Sequence, residues 1–98
     1  MPANLTSAAE QDEGNMSDVE VTFHNNVDIR VQAQIFIGPS LVSTCVIGPG
    51  ESGVLPTRSA RHDIFLKNGA TGWELARKLD SEAKTHTLSR DKGRYVIT

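Results

Sequence analysis

Three histidines, one cysteine and one Arg-His-Asp triplet carry most of the chemical potential of this 98-residue chain. His24, His62 and His86 have none of the close spacings by which neighbouring histidines jointly ligate zinc, so a metal site would have to be composed from three separate segments. Cys45 could act as a nucleophile beside a base. Its neighbours Thr44, Val46 and Ile47 make it read instead as a small core hydrophobe. Arg61-His62-Asp63 has the residue types of a catalytic relay, but in an extended chain alternate side chains point to opposite faces. Arg61 and Asp63 therefore share a face that His62 leaves, and a cross-strand ion pair is the expected role. Gly48-Pro49-Gly50-Glu51-Ser52 lacks the lysine and following helix of a phosphate-binding loop and reads as a tight turn between strands. These readings predict no catalytic residue, no metal and no cofactor.

Recognition is the alternative to catalysis. Trp73, the only tryptophan, follows an Asn68-Gly69-Ala70-Thr71-Gly72 turn. Beside Arg61, Arg77 or Lys78 it could stack on a sugar or anchor a peptide; the competing assignment is a core tryptophan. Trp73, Asn68, Arg61 and Arg77 are thus the candidate ligand-binding residues. The charge pattern is uneven. Residues 1–28 hold six acids and no Lys or Arg, whereas residues 29–98 hold ten Lys and Arg against six acids. That mild excess, with five aromatics and none in an interleaved basic motif, argues against nucleic acid.

The elements that must position these residues follow from periodicity. Val19 to Phe23, and Val27 to Ile35, alternate apolar and polar side chains, the signature of a half-buried strand. Strands are predicted at 19–24, 28–37, 41–47, 54–55 (ended by Pro56), 61–67, 84–90 and 94–98. The last two form a hairpin about Asp91-Lys92-Gly93. Residues 72–84 are rich in helix formers, and Leu75, Leu79 and Ala83 fall on one helical stripe. Trp73, Leu75 and Leu79 also share one side of a strand, and the strand reading is preferred because it continues a regular meander. The expected fold is all-β: a small antiparallel two-sheet sandwich of the immunoglobulin or prealbumin kind, with six to eight strands and a single short helix at 72–84 as the alternative. The Gly-Pro-Gly loop suggests a crossing between the sheets.

Val21-Thr22-Phe23-His24-Asn25, the Arg30-Val31 strand, Pro49-Gly50, Asp63-Ile64-Phe65-Leu66-Lys67 and Thr71-Gly72 occur in an order similar to the β domain of the von Hippel–Lindau tumour suppressor family. The resemblance implies an all-β domain. That family's domain recognises a hydroxyproline-bearing peptide, but the strand of its pocket tryptophan carries Ile64 here, and no site residue is carried over.

Residues 1–17 hold only Leu5 and Met16 as large apolar side chains and are predicted to be a disordered acidic tail, leaving residues 18–98 as one domain. The acceptor sequences at Asn4 and Asn15 read as chance matches. A lone cysteine excludes an internal disulfide framework, and no apolar run approaches the roughly 18 residues of a membrane span. The N-terminus has neither the basic nor the apolar region of a secretory signal, so a cytoplasmic protein is expected; a secreted protein lacking its signal peptide would look the same. A domain of about 80 residues has a modest core and little room for a water-excluding active site. The expectation is a non-catalytic interaction or structural module that binds a protein partner or itself through a sheet face or edge strand. A carbohydrate-binding module centred on Trp73 and a small enzyme or enzyme accessory are the alternatives.

Overall fold

The computed structural model of the chain describes residues 19–98. The expected acidic tail, with Asn4 and Asn15, lies outside the described residues. Eight strands follow in order: β1 (Val19–Asn25), β2 (Val31–Ile37), β3 (Ser40–Ile47), β4 (Ser52–Thr57), β5 (His62–Asn68), β6 (Glu74–Ser81), β7 (Thr85–Asp91) and β8 (Arg94–Ile97). They form two four-stranded sheets, β4-β1-β7-β8 and β3-β2-β5-β6, which face each other as a small β-sandwich. Every ladder is antiparallel except that of β1 with β7, where Thr22 to Asn25 run parallel to Thr85 to Leu88.

Alternation selects the inward row of each strand. Val21 and Phe23 face Val31, Ala33, Ile35, Ile64 and Leu66 across the interior, and Val27, Ile47, Leu55 and Leu88 complete the buried cluster. Hairpins join β2 to β3, β5 to β6 and β7 to β8; the other connections cross between sheets. In the last hairpin Lys92 and Gly93 both have positive φ, 54° and 81°, the two-residue turn whose twist matches its flanking strands. Gly48–Glu51 does carry the chain from one sheet to the other, as its composition suggests.

The preferred strand reading of the disputed segment holds, and two boundaries differ from the sequence reading. Residues 73–84 contain strand β6 and no helix, which resolves that ambiguity. Pro56 does not end β4; it sits inside the strand opposite Glu20. This is tolerated because β4 is an edge strand, paired on one side only. Val27 to Arg30 alternate but do not belong to β2. They bridge the sheets, and the cause is Asn25.

Asn25 continues the inward row of β1 and is buried. Its Nδ2 donates to the carbonyls of Ile29 (2.8 Å), Ile47 (3.0 Å) and Gly48 (3.1 Å), while its Oδ1 accepts from the Val27 amide at 3.1 Å. Its backbone N–H donates to Glu51 and its carbonyl accepts from Gly50. One residue thus supplies backbone partners to both the β1–β2 and β3–β4 crossings. Asn25→Ala is expected to destabilise the protein by about 3 kcal/mol, because buried carbonyls lose their donors. Asn26→Ala, at an exposed neighbour, should stay within about 0.5 kcal/mol. Urea unfolding of the two variants measures the difference.

Candidate functional site

The outward row of the β3-β2-β5-β6 sheet is less polar than its alternation implies. Phe36 of β2 and Phe65 of β5 both point away from the core, being out of phase with Ile35, Ile64 and Leu66. Their rings meet edge to face with centroids 5.2 Å apart, a favourable aromatic geometry. The Arg77 guanidinium of β6, opposite Phe65 in the ladder, lies 5.3 Å from the Phe65 ring centre. Two hydrogen bonds from Arg77 to Glu74, 2.8 and 3.0 Å, fix it there. These bonds and the Glu74 charge raise the guanidinium's pKa above its ordinary value.

Beside this stack is a concavity of about 340 Å³. Phe36, Phe65 and the Gly38-Pro39 hairpin form its apolar walls, and Asp63, Lys67 and Glu74 bring charge to it. Leu41, opposite Phe36 in the ladder, is 49 % exposed, and Val46, opposite Gln32, is 56 % exposed. Leu41 thus adjoins the concavity through Phe36, whereas Val46 is set apart along β3 by the exposed Thr44, whose hydroxyl accepts from Gln32. Gln34, on the same row between the aromatics, is buried, and its Oε1 has no hydrogen-bond partner among the described residues.

The four candidate residues scatter around this face. Arg77 is part of it. Trp73 immediately precedes Glu74 and is 75 % exposed, so the core assignment fails. Asn68 shapes the turn before it: Oδ1 accepts from the amides of Ala70 and Thr71. Arg61 lies at the β5 end remote from that turn, with ion pairs of 2.8 Å to each of Asp80 and Glu82, all on exposed side chains. Such pairs stabilise weakly. The Arg61-His62-Asp63 argument holds in outline. His62 turns inward, Arg61 pairs across to β6 and its following loop, and Asp63 accepts from the Asp80 amide. Phe36 and Phe65 were not singled out as site residues, although each sits on the wet parity of its strand.

The histidines divide. His24 is exposed, its Nδ1 bonded to the Ser52 hydroxyl. His62 and His86 are buried and adjacent, with ring centroids 6.3 Å apart. Among the described residues no group of three or more His, Cys, Asp or Glu is arranged to hold a metal. No helix among them is long and apolar enough to cross a membrane.

No protein-family model matches the chain, nor does any curated protein or solved structure. The resemblance to the von Hippel–Lindau β domain thus finds no counterpart in these comparisons, and the all-β class is what the two have in common.

Cys45 is half-buried against the core, where β4 passes so closely that a Cβ on Gly53 would lie 3.1 Å from Sγ. Burial raises the thiol's pKa above its ordinary value. At pH 8 iodoacetamide should therefore alkylate Cys45 several-fold more slowly than free cysteine, because less thiolate is present. In urea the difference should vanish; mass spectrometry of timed samples reads both rates.

Proposed function

We propose that this chain is a non-catalytic interaction module that binds a protein partner through the outer face of the β3-β2-β5-β6 sheet. The observation that carries the reading is the Phe36–Phe65 pair at the wall of a concavity, with exposed Leu41 opposite Phe36. Aromatic side chains at a rimmed apolar surface are the usual anchors of protein recognition. The concavity is at the lower end of ligand-pocket size, roughly 300 Å³, which suits one or two side chains of an extended segment. Lys67, Glu74, Asp63 and Arg77 supply a polar rim of balanced charge. A cytoplasmic location and self-association through the same face or an edge strand belong to this reading.

Carbohydrate binding is the second reading, favoured by the exposure of Trp73. The commitment of the Asn68 carbonyl oxygen to its own turn weighs against it. A small enzyme or enzyme accessory is the third.

Selection from a displayed peptide library tests the first reading. The wild type should enrich peptides with apolar anchor residues, and Phe36→Ala with Phe65→Ala should weaken their binding by about 2 kcal/mol, a roughly thirtyfold loss. Both rings are only half-buried, so circular dichroism should report a retained fold. No enrichment, a strict monomer in sedimentation and a glycan-array signal lost in Trp73→Ala would together replace this reading with the second.

A further inference from the structure

Two imidazoles share the interior where β5, β6 and β7 converge. His62 opens β5 and His86 lies in β7, so the rings come from opposite sheets. They are 3 % and 1 % exposed and meet edge to face, while His86 also stacks on Phe23 with centroids 5.6 Å apart. Buried ring nitrogens ordinarily have partners. Here Nδ1 and Nε2 of His62 and Nδ1 of His86 have none among the described residues. Nε2 of His86 reaches Ser81 Oγ at 3.4 Å, a long contact for a hydrogen bond.

The charges nearby are arranged against a cation at this place. From β5, Arg61 and Asp63 flank His62 but turn outward, Arg61 to Asp80 and Glu82, Asp63 to the Asp80 amide. From β6 come the Ser81 hydroxyl and the Lys78 ammonium, whose charge repels a proton on His86. From β7, Thr85 and Thr87 flank His86 and carry no charge. From β1 comes Phe23, between Thr22 and the exposed His24. In the β6–β7 connection, Glu82 and Lys84 are exposed, and Glu82 is held by Arg61. Among the described residues no carboxylate lies within ion-pair distance of either ring.

We propose that His86, held against His62, is an acid-sensitive latch between the two sheets, closed while its ring is neutral and opened by a single proton. A protonated imidazole at this position is a buried charge without a counter-ion, and the fold accommodates it by exposing the ring to water. Burial holds the His86 pKa below its ordinary value; Lys78 and, to a smaller extent, His62 act in the same direction, and the Ala83 backbone opposes them. With a folded pKa below the unfolded one, the unfolded chain binds more protons as pH falls, so the contribution is complete above about 6.5 and declines below it.

Urea unfolding of the described fold in the full chain at pH 7.5, 6.5 and 5.5 tests the latch. For the wild type the unfolding equilibrium constant should rise by up to about tenfold per pH unit below about 6.5, the limit for one proton. His86→Phe, which keeps the stack on Phe23, should remove that rise, and His24→Asn, at an exposed ring, should retain it. An equal pH dependence in wild type and His86→Phe overturns the proposal. If His86→Phe does not fold, the His86 ring signals of the wild type decide by NMR. They should stay in place between pH 7.5 and 5.5 in the folded population. A normal titration near 6.5 with the fold intact overturns the latch.

Discussion

The side-chain amide of Asn25 is the constraint on which the two-sheet arrangement rests. Backbone that leaves one sheet for another loses its ladder partners and must be satisfied some other way. Here the β1–β2 and β3–β4 crossings leave at the same end, and carbonyls from both converge on Nδ2 of Asn25. Two N–H bonds shared among three carbonyls require one of them to be bifurcated. With Oδ1 taking the Val27 amide, the carboxamide uses both its donor and its acceptor side. An apolar residue on this inward position would fill the space and leave the crossings unpaired.

The two buried polar clusters have opposite character. Around Asn25 the polar atoms are paired, and none of these groups titrates. Around His62 and His86 three ring nitrogens have no well-formed hydrogen bond among the described residues. The apolar outer face is a third environment. Phe36 and Phe65 are a diagonal pair across β2 and β5, placed by the register that opposes Phe36 to Asp63 and Gln34 to Phe65. The same ladder that sends Ile35 and Ile64 into the core therefore sends both aromatics out. Core and candidate surface are set by one register, and a one-residue slip would exchange them.

Strand positions and the two-layer class were legible because period-two alternation is a local signal. Ile64 and Leu66 against Phe65 is enough to orient β5. What was not legible depends on partners distant in sequence. The parallel pairing of β1 with β7 leaves no mark in either strand. The loss of Val27 to Arg30 from β2 follows from the Asn25 bonds, which involve Ile47 and Gly48. Pro56 appeared to be a terminator because its edge position was unknown. Trp73 had two assignments, ligand contact or core, and only the turn that places it in water removes the second. The site was half visible: Arg77 was chosen for its charge, whereas Phe36 and Phe65 needed the alternation to be read for its outward row as closely as for its inward one.

The place of β1 in its sheet has a consequence for how the molecule is made. The first of the described strands in chain order is not an edge; it lies between β4 and β7. One flank is completed only when Thr85 to Leu88, far along the chain, become available to pair. Until then Val21 and Phe23 belong to a sheet with one open side. Pairings between residues so far apart are slow to form, and an unpaired strand edge is prone to association while it waits. The vulnerable period of this sheet is therefore set by the sequence distance between β1 and β7.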